Sequence, residues 1–157
     1  MMRIGIGYDI HRLVEGRELV LGGVRIPHDQ GLLGHSDADA LIHAVMDAIL
    51  GALALGDIGK HFPDTDPAYR GISSLTLLEH VCRLMEQQGY RLGNLDAIIF
   101  AERPKMAPHR ESMRQLLAQA LKADLGAISV KAGTNEGCDA VGRGEAIACQ
   151  AVVLLEK

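Results

Sequence analysis

Two histidines and one aspartate in the first third of the chain have the types and spacing of a metal site. Asp9 and His11 lie in an alternating segment typical of a β-strand, so both side chains should point to the same side of it. His43 follows in a segment with helical periodicity. Two imidazoles and one carboxylate suit Zn²⁺ and leave a fourth position open, as in catalytic zinc sites. An ion held there could polarise a phosphoryl oxygen as a Lewis acid.

A less specific interpretation also fits these three residues. A D-x-H triplet is common, and a single histidine on a helix is more often a surface or hydrogen-bonded residue than a ligand. If His43 is a ligand, Asp39 or Asp47, each one helical turn away, could orient its second ring nitrogen. The neighbouring segments must therefore decide between the two interpretations.

The periodicity predicts an α+β fold, with a mixed sheet covered by helices on one face and a β-hairpin beside it. The first strand should run from Arg3 to Asp9, and Gly22-Gly23 should turn a hairpin between Glu18–Leu21 and Val24–Ile26. The helix that carries His43 should span 36–55, with Ser36 as its cap. The remaining predictions are helices at 73–88 and 108–123, strands at 96–101, 128–132 and 146–155, and loops at 56–67 and 133–145.

Two consequences for packing follow from these elements. Along the first long helix, alanines and a glycine form a second arc of small residues that could allow close packing: Ala40, Ala44, Ala48 and Gly51. The sheet face without helices must also meet something, and the Ala- and Val-rich last strand makes subunit packing an attractive answer.

Polar residues before and after the first long helix could bind an anionic substrate. His35 and Ser36 lie where that helix is predicted to begin, so its amides could receive a phosphate, although Ser36 could equally be a simple cap. His35 could donate a hydrogen bond to a phosphoryl oxygen. In the following loop Asp57 and Asp64 could accept hydrogen bonds from substrate hydroxyls or be solvated turn residues, and Asp66 before a proline is interpreted as a structural cap.

The predicted loop at 133–145 offers a second anion-binding segment. Thr134 and the backbone amides could bind a phosphate, and Glu136 could help to hold Mg²⁺ between two phosphates. Arg143 could contact an anion. A glycine-rich connecting loop whose charged residues have no function would show the same sequence pattern.

Composition limits the other classes of function. The 157 residues argue for a single domain, 1–157, and 48% hydrophobic residues are enough for one core. A net charge of −4 and 3% aromatic residues disfavour nucleic-acid binding. Three cysteines without a C-x-x-C pair give no disulfide framework. No signal peptide and no membrane-spanning run are recognisable, so we expect no membrane association and a cytoplasmic location.

Taken together, these segments resemble the 2-C-methyl-D-erythritol 2,4-cyclodiphosphate synthases of the non-mevalonate isoprenoid pathway. The similarity covers nearly the whole chain, and its most specific part combines D-x-H, H-S-D-x-D-x-x-x-H and G-D-I-G-x-x-F-P-D-T-D. The matching stretches are RIGIGYDIHRL at 3–13, the segment 21–67, GYRLGNLDAIIFAERPKM at 89–106, ISVKA at 128–132 and GRGEAIA at 142–148.

The resemblance implies a homotrimer with active sites between adjacent subunits. Such an enzyme is a phosphorus–oxygen lyase that cyclises 4-diphosphocytidyl-2-C-methyl-D-erythritol 2-phosphate and releases CMP. Because the attacking 2-phosphate is tethered to the electrophilic β-phosphorus, the enzyme mainly folds the substrate and neutralises charge. The resemblance also implies Zn²⁺ or another divalent ion on Asp9, His11 and His43, and Mg²⁺ or Mn²⁺ bridging the substrate phosphates with help from Glu136.

By the same match, His35 and Thr134 would stabilise the transition state, and residues Ala101–Ala107 would form the cytidine pocket. The substrate-binding residues that the resemblance implies are Asp9, Ile10, His11, His35, Ser36, Asp57, Ile58, Gly59, Phe62, Pro63, Asp64, Thr65, Asp66, Ala101, Glu102, Arg103, Pro104, Lys105, Met106, Ala107, Gly133, Thr134, Asn135, Glu136, Ala140 and Arg143.

One segment departs from the family pattern. The family's loop usually reads T-T-x-E-x-L-G-F-x-G-R, whereas residues 133–143 read GTNEGCDAVGR. Thr134 and Glu136 are retained, but Gly133 replaces a threonine and Ala140 replaces an aromatic residue. In the family that aromatic residue and Arg143 lie near a cavity on the trimer axis, so the packing of the loop and any hydrophobic ligand there stay open.

Two other functions share some of these features. A zinc hydrolase would use the same metal site with an activated water, and it would need a general base such as Asp47 or Glu136. A non-catalytic trimeric binding module would not turn over substrate, and it has no need of the D-x-H triplet, His43 and His35 together.

Overall fold

A five-stranded mixed sheet forms the centre of the computed structural model, which describes residues 1–157. The strands are β1 (Met2–Glu15), β2 (Leu19–Leu21), β3 (Val24–Ile26), β4 (Gln30–Leu32), β5 (Arg91–Phe100), β6 (Ile128–Gly133) and β7 (Ala146–Glu156). The helices are α1 (Ala40–Ala52), α2 (Ile58–His61), α3 (Ser74–Gln87), α4 (Arg110–Leu121) and α5 (Asp139–Gly142), with 3₁₀ turns at Pro67–Tyr69 and Leu125–Ala127. The sheet order is β4-β1-β7-β5-β6, and β2 and β3 form the predicted hairpin across Gly22-Gly23.

Strand pairing makes the sheet mixed, as predicted. β1 is antiparallel to β4 and β7, β5 is antiparallel to β7, and β5 is parallel to β6. The parallel pair is joined through α4, which packs on β6. The predicted α+β fold is confirmed.

The longer helices cover one face of this sheet, whereas on the other face only the short helix α5 packs, over Phe100, Ala146 and Ala148 at one end. α1 packs across β1 and β7, and α3 packs beside α1. On the opposite side, which we call the outer face, four successive outward side chains of β1 are exposed to solvent: Ile4 (72%), Ile6 (64%), Tyr8 (55%) and Ile10 (43%). Val152 of β7 pairs with Ile6 and is also exposed. Apart from the end under α5, the predicted uncovered, apolar face is therefore present.

Small residues bring α1 close to β1. A Cβ on Gly5 would lie 1.8 Å from the carbonyl oxygen of Ala48, so only glycine fits there. Ala44 and Ala48 supply the small side of the helix, as the arc of alanines predicted, and both are fully buried. This close contact sets the distance between the residues of β1 and those of α1.

The predicted start of the first helix was wrong. α1 begins at Ala40, four residues after the predicted cap Ser36, and Asp39 caps it by accepting a hydrogen bond from the Ile42 N–H. Ala38 has φ of 58°, a left-handed conformation that no α-helix can contain. Asp39 also accepts hydrogen bonds from the Gly22 and Gly23 N–H groups, so a contact with the hairpin decides where the helix starts.

Other predicted boundaries also shift. β1 continues through the D-x-H triplet to Glu15 because β7 pairs with it as far as Arg12 and β4 pairs with it from Leu13. β5 begins at Arg91 rather than at residue 96. The two predicted loops each contain a four-residue helix, α2 and α5. None of the helices combines the length and the apolar character needed to cross a bilayer.

Candidate active site and metal centre

Asp9, His11 and His43 meet at the contact between β1 and α1. Asp9 Oδ2 lies 2.7 Å from His11 Nε2 and 3.0 Å from His43 Nδ1, and the two ring nitrogens are 3.3 Å apart. One possible ligand atom from each residue lies within 4.8 Å of the others, so the three could hold a single ion. The pattern of a carboxylate with two imidazoles is therefore assembled as the sequence predicted.

The pleat of β1 explains why these side chains converge. Gly5, Gly7, Asp9 and His11 are on the face towards the helices, because alternate residues of a strand share a side. The glycines admit α1, and His43 in its first turns then reaches the next two positions along the strand. The same alternation directs Ile10 to the outer face, where its side chain is 43% exposed.

Hydrogen bonding directs a lone pair of His11 at Asp9. His11 Nδ1 lies 3.0 Å from the Leu33 carbonyl oxygen, which can only accept, so this nitrogen carries the proton. In the neutral ring, Nε2 therefore presents a lone pair to Asp9, which is also an acceptor when ionised. Acceptors that face one another in this way need a cation between them, and the donor set of one carboxylate and two imidazoles fits a divalent metal.

The charges of the cluster shift its proton equilibria. Burial alone would raise the pKa of the Asp9 carboxyl, but the hydrogen bonds and positive charge that His11 and His43 supply when their rings are doubly protonated outweigh it and hold that pKa below its usual value. Burial alone would lower the pKa of His43, but the hydrogen bond and the charge of Asp9 raise it. The site thus favours positive charge beside Asp9, whether on a proton or on a metal ion.

Neither aspartate that was predicted to orient His43 does so. Asp39 accepts hydrogen bonds from the hairpin and from α1, and Asp47 accepts one from the Ile58 N–H at 2.8 Å. The second ring nitrogen of His43 instead faces two hydroxyl oxygens, Ser74 Oγ at 3.0 Å and Ser36 Oγ at 3.2 Å. Helical spacing suggested the aspartates, but their side chains are used by backbone N–H groups nearer to them.

A pocket of about 380 Å³ opens beside this cluster. Segments 34–36 and 58–64 both contribute to its wall, and Phe62 and Tyr69 meet edge to face with ring centres 5.4 Å apart. The predicted residues that line it are Asp9, His11, His35, Ser36, His43, Ile58, Gly59, Phe62, Pro63 and Asp64.

The hydrogen bond of His35 determines what this side chain can donate. Its Nε2 lies 2.8 Å from the Asp66 carbonyl oxygen, which requires a proton on Nε2. His35 can then donate a second hydrogen bond, to a phosphoryl oxygen, only through Nδ1 and only as the doubly protonated imidazolium. The contact with Asp66 holds the ring in place at the pocket wall.

The acids of the 56–67 segment divide into caps and pocket residues. Asp57 caps α2 through the Lys60 N–H at 3.0 Å, and Asp66 caps the 3₁₀ turn through the Ala68 N–H at 2.9 Å. The structural interpretation of Asp66 agrees with this contact. Asp64 is exposed and lines the pocket, whereas Thr65 lies outside its lining.

The other predicted substrate residues form a separate group. Glu102 accepts hydrogen bonds from the Asn135 and Gly137 N–H groups, at 3.0 and 3.3 Å, and this joins segment 101–107 to the loop that holds Thr134 and Glu136. Within one chain, no residue of 101–107 or 133–143 lines the pocket beside Asp9. Thr134 and Glu136 are exposed, and Arg143 pairs with Glu145 at 3.0 Å. Ala140 is the second residue of α5 and packs against a small cluster formed by Val141, Ala146 and Ala148.

Several residues of the site were not predicted from the sequence. Gly34, Met46, Tyr69 and Leu77 line the pocket, and Ser74 contacts His43. Met46 lies one turn after His43, so helical periodicity could have suggested it. Tyr69, Ser74 and Leu77 come from segments whose approach to β1 depends on tertiary packing, and no local pattern signals them.

Comparison with known proteins agrees with this geometry. A sequence profile of the YgbB family matches residues 2–156. The 2-C-methyl-D-erythritol 2,4-cyclodiphosphate synthase of Pelobacter propionicus is 63% identical over 154 residues, which cover 98% of this chain and 98% of that protein. A solved 2C-methyl-D-erythritol-2,4-cyclodiphosphate synthase in a CDP-bound form superposes with a TM-score of 0.90 at 42% identity, over 98% of this chain and 100% of that chain.

A longer protein contains the same fold as one part. The bifunctional IspDF from Campylobacter jejuni superposes with a TM-score of 0.95 at 39% identity over 99% of this chain, which spans 42% of that protein. The profile match and the full-length relatives both show sequence similarity along the whole chain, which proteins that share only a fold do not have. The chain therefore belongs to the YgbB family, the family of the 2-C-methyl-D-erythritol 2,4-cyclodiphosphate synthases.

Proposed function

We propose that this chain cyclises 4-diphosphocytidyl-2-C-methyl-D-erythritol 2-phosphate to 2-C-methyl-D-erythritol 2,4-cyclodiphosphate. An oxygen of the 2-phosphate forms a new bond to the β-phosphorus, and the bond from that phosphorus to the CMP oxygen breaks. The observation that carries the proposal is the meeting of Asp9, His11 and His43 at a pocket of about 380 Å³ in a chain of this family.

Asp9, His11 and His43 would hold Zn²⁺, because one carboxylate and two imidazoles match its usual ligands. When bound, the ion supplies a Lewis-acid contact to a phosphoryl oxygen and offsets negative charge. The three side chains define where that contact lies, at the pocket edge nearest β1. Most of the catalytic gain then comes from holding two linked phosphates in attacking geometry.

The pocket wall supplies groups for the rest of the substrate. His35 lines the pocket, where it would donate a hydrogen bond to a phosphoryl oxygen, and Ser36 lies beside it. Asp64 and the backbone at Gly59 offer acceptors for the hydroxyl groups of the erythritol part. The paired rings of Phe62 and Tyr69 close the apolar side of the pocket.

A homotrimer would complete the site. The outer face carries a row of exposed apolar side chains on β1, with Val152 of β7 beside Ile6, and such a row in a monomeric protein would be unusual. Residues 101–107 and 133–143 lie outside the pocket of their own chain, so in this proposal they serve the pocket of a neighbouring copy. Thr134 would then contact a phosphate, Glu136 would help to hold Mg²⁺ or Mn²⁺ between two phosphates, and Ala101–Ala107 would contact the cytidine.

The hydrolase alternative lacks a base in the right place. Asp47 accepts a hydrogen bond from the Ile58 N–H and lies outside the pocket lining. In the proposed trimer Glu136 would help to hold Mg²⁺ or Mn²⁺, which occupies the carboxylate that a base would need. A non-catalytic binding module would leave the assembled metal ligands without a role. A cytoplasmic location remains a prediction from the sequence.

The decisive experiment is product analysis by ³¹P NMR after incubation of the purified protein with the substrate and Zn²⁺ plus Mg²⁺. We expect the cyclic diphosphate and CMP in equal amounts, and no cyclic product with His43→Ala. An open-chain phosphate product would support the hydrolase instead, and unchanged substrate would support the binding module.

A further inference from the structure

The ring nitrogen of His43 that faces away from Asp9 contacts a residue from a distant segment of the chain. This nitrogen, Nε2, lies 3.0 Å from Ser74 Oγ, on the first residue of α3 and 31 positions later in the chain. Ser74 is fully buried, so no water competes for this contact. The ring is thus fixed between Asp9 on one side and a hydroxyl group on the other.

Asp37 determines the direction of that hydrogen bond. The Ser74 hydroxyl donates to Asp37 Oδ1, and the Ser74 N–H donates to Asp37 Oδ2 at 3.0 Å. An ionised carboxylate has no proton to give, so the Ser74 hydroxyl proton is committed to it. Only lone pairs of Ser74 Oγ are left to face His43, and the ring nitrogen there must therefore carry a proton.

The tautomer of His43 follows from this chain of contacts. With the proton on Nε2, neutral His43 has its lone pair on Nδ1, which is the nitrogen that faces Asp9 and His11. This is the form that binds a metal ion. Ser36 Oγ, at 3.2 Å from the same Nε2, is a second and longer contact, and it already accepts the Ala38 N–H.

We propose that Ser74, held by Asp37, is a positioning residue that fixes the metal-binding tautomer and orientation of His43. The inference rests on the proposed divalent ion at Asp9, His11 and His43. Groups that hold the second nitrogen of a ligand histidine typically change metal affinity by 10- to 100-fold when they are removed. Ser74 therefore sets how tightly the site holds its ion, although it touches neither the ion nor the substrate.

A purely structural role for Ser74 makes a different prediction. Its backbone N–H also joins α3 to Asp37, and a change to alanine keeps that bond while removing the hydroxyl. Ser73 is a matched control, because it is exposed, adjacent, and makes no capping hydrogen bond with its side chain. If Ser74 only stabilises α3, Ser74→Ala will lower the melting temperature without a selective effect on metal binding.

The test measures dissociation constants for Zn²⁺ and Co²⁺ on the full chain, by competition with a chromophoric chelator. We expect Ser74→Ala to weaken binding roughly 10- to 100-fold, Ser74→Thr to stay within about threefold of wild type, and Ser73→Ala to be unchanged. The visible spectrum of the Co²⁺ form reports the ligand geometry independently of activity. Binding by folded Ser74→Ala within about twofold of wild type would overturn the proposal.

A second readout covers the case in which the threonine variant is poorly folded. In ¹⁵N-histidine NMR of the Zn²⁺ form, the His43 Nε2–H should exchange slowly in wild type and much faster in Ser74→Ala. Equal exchange in both proteins would also contradict the role of Ser74. If wild type itself binds neither metal, the proposed metal site fails, and that result is distinct from failure of the role of Ser74.

Discussion

Gly7 of β1 lies directly against Ala44 of α1, so closely that a Cβ on Gly7 would lie 1.8 Å from the Ala44 carbonyl oxygen. Gly7 precedes Asp9 by two residues, and Ala44 follows His43. The contact between a glycine and a helix backbone therefore sets the separation of two metal ligands on different elements. Packing of the fold and assembly of the site depend on the same few atoms.

Gly7→Ala should damage both stability and metal binding. The added methyl group must push α1 away from β1, which should lower the free energy of unfolding by at least about 2 kcal/mol. His43 would move with the helix, so Zn²⁺ affinity should fall too. Urea unfolding and chelator competition measure the two effects. Gly126→Ala is the control, because a Cβ there meets nothing within 4 Å, and equal stability of the two variants would contradict the argument.

Asp39→Ala should be strongly destabilising. The carboxylate accepts hydrogen bonds from Gly22, Gly23 and Ile42 N–H groups, and it is fully buried. Loss of a helix cap and of partners for buried N–H groups should cost about 3 kcal/mol, measured by chemical unfolding. Asp66→Ala removes an exposed cap and should cost about 1 kcal/mol or less. If Asp39→Ala and Asp66→Ala lowered the free energy of unfolding by similar amounts, the contact between Asp39 and the hairpin would contribute little to stability.

Mixing two inactive variants should restore activity if sites form between copies. Asp9→Ala lacks the metal half of the site, and Thr134→Ala lacks the half from the 133–143 segment. After co-refolding at equal amounts, random cyclic trimers should recover about a quarter of wild-type cyclisation, because mixed trimers contain one intact junction each. A mixture of Asp9→Ala with His43→Ala should recover no activity, since both substitutions remove metal ligands from the same half of the site. No recovery in the first mixture would place the whole site in one chain.

Ile6→Asp should dissociate the proposed trimer. Ile6 is 64% exposed in the middle of the outer face, opposite Val152 on β7. A charge buried in an apolar interface carries a desolvation cost without a partner. Light scattering should then report the mass of a monomer. Leu125→Asp, at an exposed position in a 3₁₀ turn, is the control and should leave the mass unchanged.

Acidification should loosen α5 in the loop that departs from the family pattern. Backbone hydrogen bonds from Gly142 and Val141, and the side chain of Asn135, hold the pKa of Asp139 below its ordinary value of 3.8. A carboxyl with a lowered pKa stabilises the folded loop at pH above 3.8, and this stabilisation is lost as pH falls through the lowered value.

The amide resonances of Val141 and Gly142 should report that transition by NMR. They should titrate with a midpoint below 3.8, and Asp139→Asn should remove the transition from both amides. A midpoint at or above 3.8 in the unmodified chain would contradict the assigned contacts.

Local patterns in the sequence determined the kinds of elements and two of the metal ligands. Alternation in β1 placed Asp9 and His11 on one side, because successive side chains of a strand must alternate. The Gly22-Gly23 pair determined a hairpin, because its backbone conformations suit a tight turn. The three cited motifs carried enough information to indicate the family before any contact was known.

Tertiary structure alone decided the start of α1 and the environment of His43. Asp39 became the cap because the hairpin came within hydrogen-bonding distance of it, and Ser74 became a partner of His43 because α3 packs beside α1. Similarly, the separation of Glu136 from Asp9 within one chain depends on the two faces of the sheet, since Asp9 points towards α1 whereas the 133–143 segment lies beside Tyr8 and Ile10 on the outer face. Periodicity reports which way a residue faces along its own element, whereas these contacts depend on which elements come together in space.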